Sequence, residues 1–152
     1  MLIKLSEEFN ESLSKKLRGL SEGDKRFFYP HKFDARTIKK LSNEKGNHYY
    51  VYLDDLGKFM GYGMLRTFGK YEIPSLGCVI WQEYRGQGKG KKLIKELIIK
   101  ANKLKYHKIR LKVHTGNKIA YKLYKKAGFK KIEKSEDEII WMEYSDKNAG
   151  QI

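Results

Sequence analysis

The sequence predicts an α/β (α+β) domain: one mixed central sheet of six to seven strands with about four helices. The hydrophobic period switches repeatedly along the chain between the helical value and the two-residue value of strands. The resulting order is strand, helices, three strands, helix, strand, helix, two strands. At 152 residues and 40% hydrophobic, the chain is long enough to close one core without disulfides or a structural metal. Residues 1–144 therefore read as a single domain and 145–152 as a polar tail.

Residues 2–5 read as a first strand. Ser6 is placed to cap a helix whose Phe9, Leu13, Leu17 and Leu20 share one face, and Gly19 and Gly23 are expected to break it. The aromatic run Phe27-Phe28-Tyr29-Pro30-His31-Lys32-Phe33 contains a proline and reads as a loop. Asp34 is a good N-cap for a short helix with Ile38 and Leu41 inward, ended by Gly46. From His48 the period is two, and Asp54-Asp55-Leu56-Gly57 supplies a turn into a returning strand over 59–68. A strand over 76–81 follows Pro74. The clearest helix spans 88–105, with Leu93, Ile94, Leu97, Ile98, Ala101 and Leu104 on one stripe and lysines elsewhere. Residues 108–114 alternate strictly. A shorter helix over 117–127 places Ile119, Ala120, Leu123, Tyr124 and Ala127 on one side, and Gly128 stops it. Strands near 130–134 and 138–144, separated by an acidic turn, finish the domain.

Charge is unevenly distributed. The formal net charge is +15, and residues 85–134 alone carry 18 basic against two acidic side chains (Glu96 and Glu133), a local +16. One cysteine, Cys78, excludes a disulfide framework and a multi-cysteine zinc site, and the four histidines show no metal-ligand spacing, so no metal is expected. No apolar run is long enough to span a bilayer, and the acidic start lacks a signal peptide's apolar stretch. The expectation is a cytoplasmic protein with no membrane partner.

The most specific local feature is Arg85-Gly86-Gln87-Gly88-Lys89-Gly90, between a strand and the lysine-studded helix. Glycines at such a junction uncover backbone N–H groups, and the helix start adds partial positive charge. Together they form a phosphate cradle, with Lys89, Lys91 and Lys92 at its rim. The plainer alternative is a glycine-rich turn without a ligand. A P-loop is excluded because no hydroxyl residue follows Gly90-Lys91, and a dinucleotide fingerprint because spacing and position are wrong.

The segment instead resembles the acyl-CoA pyrophosphate loop of the GNAT superfamily of N-acetyltransferases, whose pattern R/Q-x-x-G-x-G/A is matched by Arg85, Gly88 and Gly90. A second stretch, Asn117-Lys118-Ile119-Ala120-Tyr121-Lys122-Leu123-Tyr124-Lys125-Lys126-Ala127-Gly128-Phe129, fits that family's N-x-x-A-x-x-L/F-Y-x-x-x-G-F pattern without a gap. The resemblance covers roughly residues 1–144 and implies a splayed strand pair holding acyl-CoA. It implies that the backbone of Cys78, Val79 and Ile80 meets pantetheine and the acyl carbonyl, one N–H there polarising the thioester. It further implies that the amides of Arg85, Gly86, Gln87, Gly88, Lys89, Gly90 and Lys91 hold the pyrophosphate and that Asn117 contacts pantetheine. Tyr124 matches the tyrosine that protonates the departing thiolate; periodicity alone reads it as a core tyrosine. Acetyl-CoA is thus the implied cosubstrate and a primary amine the acceptor. Cys78 as a nucleophile is rejected, since no adjacent cation lowers its pKa and direct transfer needs none.

An ammonium acceptor must lose a proton before attack. His31, in the aromatic loop, and Glu72, before the pantetheine strand, lead as general bases. Glu83 reads as a solvated loop carboxylate, His114 as a strand end, and a water relay as the option without a dedicated base. Phe27, Phe28, Tyr29, His31 and Phe33 offer an aromatic wall to an amino sugar, an aromatic amine or a peptide, or else pack under a loop. Two rivals stand beside this reading: a basic nucleic-acid binder or RNA-directed acetyltransferase, disfavoured because the cations decorate faces singly and no recognition motif is present, and a silent acyl-CoA-binding module. The resemblance allows a homodimer, which no sequence feature demands.

Overall fold

A computed structural model describes residues 1–132 and 136–146. The elements in chain order are β1 (Leu2–Lys4), α1 (Asn10–Arg18), α2 (Glu22–Phe27), α3 (Ala35–Leu41), β2 (Asn47–Leu53), β3 (Phe59–Arg66), β4 (Ser75–Ile80), α4 (Lys89–Lys103), β5 (Lys108–His114), α5 (Lys118–Lys126), β6 (Lys130–Lys131) and β7 (Ile139–Ser145). The seven strands form one sheet in the order β1-β2-β3-β4-β5-β7-β6. The expected mixed sheet is therefore present, with five α-helices among the described residues where about four were expected.

The sheet separates two apolar clusters. On one face α4 and α5 lay Leu93, Ile94, Leu97, Ile98, Ala101 and Tyr124 against Leu65, Leu76, Ile80, Leu111 and Val113. On the other, α1 and α3 pack Leu13, Leu17, Ile38 and Leu41 against Val51, Tyr62, Met64, Val79 and Trp81. Strand alternation does this sorting, because successive side chains of β3 and β4 point to opposite faces.

Every neighbouring pair is antiparallel except β4 and β5, which run parallel and meet at a single register position, Ser75 opposite Arg110. Arg110 N donates to Pro74 O there at 3.0 Å. Beyond that point the strands diverge toward Ile80 and His114. The splay implied by the sequence resemblance is thus a feature of the fold, and it opens a gap in the middle of the sheet.

Several local expectations need correcting. Gly23 does not break a helix; it lies inside α2, which Ser21 caps by accepting from Asp24 N at 3.1 Å. The first aromatic residue, Phe27, is helical rather than in a loop. Ser6 makes no side-chain cap and precedes a single 3-10 turn over Glu7–Phe9. Ile119 is 78% exposed, not inward. Strand β3 stops at Arg66, because Phe68 takes a left-handed φ of 56°. Asp34 caps α3 as expected, accepting from Thr37 N and Thr37 Oγ1 at 3.1 and 2.7 Å. The predicted strand over 130–134 is formed at Lys130–Lys131, and its last two positions, with most of the polar tail, lie outside the described residues.

Candidate active site

The gap between β4 and β5 exposes a strand edge. Because Pro74 O accepts from β5, the two-residue period turns the backbone of Cys78 and Ile80 toward the gap and that of Val79 toward β3. Trp81 N, donating to Met60 O at 2.9 Å, agrees with this phase. Of the three residues expected to meet pantetheine through their backbone, Val79 therefore faces the wrong way, while Cys78 and Ile80 face the gap. Ile80 O is already occupied, accepting from Arg85 Nε at 2.8 Å.

At the open end of β4 a single 3-10 turn over Gln82–Tyr84 leads into the glycine loop. Gly86 and Gly88 have φ of 75° and 76°, a left-handed geometry that costs other residues about 1–2 kcal/mol. Gly88 is also the N-cap of α4 and offers no side chain to cap it. The first backbone bond into α4 comes from Lys92 N to Gly88 O at 3.3 Å. Among the described residues, the amides of Gly86, Gln87, Gly88, Lys89, Gly90 and Lys91 have no backbone or side-chain acceptor. They form a run of donors at the positive end of a fifteen-residue helix. Arg85 departs from expectation: its amide donates to Gln82 O at 3.2 Å and its side chain turns away to Asp24.

Helix α5 brings Tyr124 across the gap. Its hydroxyl lies 3.6 Å from Cys78 Sγ, so the tyrosine of the second motif meets the cysteine of β4. The ring packs edge-on against Phe129 at 5.9 Å. Burial raises the Tyr124 phenol well above its ordinary value and pushes the Cys78 thiol up to about 11. Asn117 caps α5 through Oδ1, 3.4 Å from Ala120 N, which leaves its Nδ2 free for a ligand.

The candidate bases are scattered. His31 Nδ1 lies 2.7 Å from Lys32 O, which can only accept, so that nitrogen carries the proton. In the neutral ring Nε2 then accepts from the Tyr62 hydroxyl at 2.9 Å, and its one lone pair is taken. Burial lowers the His31 pKa. Glu72 is exposed and precedes β4 at the closed end of the gap, where β4 and β5 still pair. Neither residue is brought to Tyr124 and Cys78. Glu83 forms an ion pair with Lys16 at 2.8 Å, which holds its carboxyl below the usual range. His114 Nδ1 accepts from Gly116 N at 2.9 Å, with Glu138 3.4 Å from Nε2.

Sequence reasoning missed Asp24, Tyr62 and Arg66 as members of this region. Asp24 had a usable signal: Ser21-x-x-Asp24 before an aromatic run is a helix-start pattern. Tyr62 and Arg66 had none, since only the folded hairpin brings them to the loop, where Arg66 Nη1 donates to Pro30 O at 3.0 Å. Among the described residues no cluster of three or more His, Cys, Asp or Glu could hold a metal ion, and no helix is long and apolar enough to cross a membrane.

The fold recurs in solved structures. Superposition on a chimera of the Vibrio cholerae spermidine N-acetyltransferase SpeG and hSSAT gives a TM-score of 0.81 over 97% of this chain and 98% of that one, at 18% identity. The GNAT domain of S. lividans PAT gives 0.81 over 95% and 89%, at 14% identity, and a domain from Methanocaldococcus jannaschii DSM 2661 gives 0.77 over 95% and 97%, at 15%. Such identities speak for the fold alone. Comparison with curated protein sequences finds no match. The sequence model of the Acetyltransferase (GNAT) family matches residues 13–129, a stretch holding the divergent strands, the glycine loop and Tyr124 together. The chain belongs to the GNAT acetyltransferase family.

Proposed function

We infer that the protein is an N-acetyltransferase that moves the acetyl group of acetyl-CoA to a primary amine by direct attack. The observation that carries this is the meeting of Tyr124 and Cys78 in the gap, with the free amides of the glycine loop at the gap's open end. The loop amides, with Lys89, Lys91 and Lys92, supply donors and charge for the pyrophosphate. Pantetheine fits along the β4 edge, where Cys78 offers both N–H and C=O and Ile80 offers its N–H. An N–H in this row, fixed before substrate arrives, stabilises negative charge growing on the thioester oxygen.

The amine nitrogen attacks the carbonyl carbon, the C–S bond breaks, and the sulfur takes a proton. In this reading Tyr124, whose hydroxyl lies beside Cys78 in the gap, gives it. The burial that raises the phenol keeps it protonated at working pH, and the same dry setting raises the proton affinity of a thiolate formed beside it. With the His31 lone pair engaged by Tyr62 and Glu72 at the closed end, loss of the ammonium proton to water fits the geometry better than either side chain.

Around α2 and the open end of β4, three carboxylates are already paired with cations: Asp24 with Arg85, Glu22 with Lys25 and Glu83 with Lys16. A polycation would find few free anions there, so an acceptor with a single amine, such as an amino sugar, an amino acid or a peptide end, suits the site better.

Tyr124→Phe tests the chemistry. With acetyl-CoA as donor and thiol release followed over glucosamine, spermidine, amino acids and short peptides, kcat should fall by about 10²-fold with CoA affinity retained. An unchanged rate removes Tyr124 from the mechanism.

A further inference from the structure

Helix α2, unforeseen in the sequence, touches the open ends of both splayed strands. Near its start the Asp24 carboxylate accepts from Arg85 Nη1 at 3.0 Å and Nη2 at 3.1 Å, the two-pronged pairing that suits a guanidinium. Through Nε the same guanidinium holds Ile80 O, the last carbonyl of β4. At its end the Phe27 ring lies 5.2 Å from the ring of His114, the last residue of β5. The tip of that ring is 3.7 Å from where a Cβ on Gly116 would sit. Because β4 and β5 share only the Ser75–Arg110 position, α2 bridges a gap that sheet hydrogen bonds leave open. The next residue, Phe28, meets Tyr62 edge-on at 6.4 Å, so the bridge continues into the aromatic loop.

Building on the acetyltransferase reading above, the geometry points to Asp24 as a positioning residue: through Arg85 it holds α2 across the acceptor side of the gap and joins that helix to the loop that binds CoA. With CoA on the α4–α5 side, the amine comes from the opposite face, which α2 and the aromatic loop cover. Its fit depends on where α2 is held. None of the uncovered loop amides bonds to Asp24 or Arg85, and Arg85 reaches Ile80 O through Nε while it meets Asp24 through Nη1 and Nη2, so CoA binding is expected to survive the loss of Asp24. The pair is thus a joint between two substrate sites whose loss is felt at one of them.

The test uses the full chain, acetyl-CoA and the fastest amine of the panel named above. Asp24→Asn should raise the acceptor KM about fivefold, with the CoA Kd and kcat held within about twofold, and Asp24→Glu should recover part of the loss. Phe27→Ala, loosening the other end of α2, should move the same parameter. Hydrogen exchange gives a second readout that needs no turnover. The amides of Lys25 and Phe28, bonded to Ser21 O and Asp24 O, should exchange faster in Asp24→Asn while those of β3 do not change. An unchanged acceptor KM, or a CoA Kd that rises by the same factor as the acceptor KM, overturns the proposal. A wild-type protein that acetylates no amine overturns the enzymatic reading instead; exchange at Lys25 and Phe28 then still decides whether Asp24 holds α2.

Discussion

Replacing Gly88 and Gly90 separately by alanine should shift stability in opposite directions, although the two glycines lie two positions apart in one loop. Gly88 sits at φ 76°, and a Cβ built on it meets nothing within 4 Å. The cost of alanine there is purely conformational, about 1–2 kcal/mol for a left-handed L-residue. Gly90 is already helical, in the first turn of α4, and its added Cβ would stand 3.4 Å from Leu123 Cδ1 and 4.0 Å from Ile80 Cγ1, which is ordinary contact. Alanine there lowers the entropy of the unfolded chain and should stabilise by about 0.4–1 kcal/mol. For a chain of this size, about 1 kcal/mol moves Tm by about 2–4 °C. Thermal unfolding without ligand should therefore show Gly88→Ala some degrees below wild type and Gly90→Ala slightly above it. Titration with CoA separates the second half of the reasoning. Gly90→Ala leaves the direction of every loop amide intact and should bind CoA within about twofold of wild type, whereas Gly88→Ala, pulled toward negative φ, should bind more weakly. A Gly88→Ala protein as stable and as tight-binding as wild type would refute the claim that the cradle depends on its left-handed turn.

Two further outcomes follow from the buried groups. The Cys78 thiol, pushed up to about 11 by burial, should resist iodoacetamide at neutral pH in the folded protein, and Cys78→Ala should retain transfer within about a few-fold, because direct attack needs no acyl-cysteine. His31 has its folded pKa lowered from 6.5, chiefly by burial, so the unfolded chain binds a proton more readily. Its contribution to stability is complete above pH 6.5 and is lost as pH falls through the interval below that value. Urea unfolding from pH 7.5 down to 5 should show this loss, and His31→Gln should flatten it; an identical slope in the variant would exclude His31 as its source.

The parts of the protein visible in the sequence are those governed by short-range rules. Asp34 announces a cap, the alternation of Ile109, Leu111 and Val113 announces a half-buried strand, and Gly88 announces the turn that opens α4. A role for Tyr124 at the site was legible only through its place in the second motif, since periodicity alone makes it a core residue, and its contact with Cys78 was not foreseen. What stayed hidden depends on partners distant in the chain. Arg85 reads as part of the loop, yet its side chain is committed to Asp24, 61 positions away. His31 reads as a base, yet its lone pair belongs to Tyr62, 31 positions away. A titratable residue's usefulness depends on who already holds its lone pair or its proton, and that is settled by tertiary contacts. The exposure of Ile119 has a different origin. Its inward assignment rested on a helical period, but α5 turns only Tyr124 fully into the core.

The +16 of residues 85–134 divides by distance from the loop amides. Lys89, Lys91 and Lys92 lie within one turn of them, well inside the screening length of about 8 Å at physiological salt, so a phosphate held there feels their charge. Lys103 is fourteen residues further along α4 than Lys89, about 21 Å at 1.5 Å per residue, and is screened from the same phosphate. Other cations of the stretch are spent locally: Arg85 on Asp24, Lys108 and Arg110 on Glu143, Lys100 over the Tyr50 ring and Lys112 over Trp141. In the proposed function, cofactor binding therefore calls on three lysines and a row of amides. Neutralising Lys103 and Lys105 together should leave CoA affinity within about twofold, while neutralising Lys89 and Lys91 should weaken it several-fold and flatten its salt dependence. Equal losses from both pairs would mean that the whole basic face, rather than its loop end, binds the cofactor.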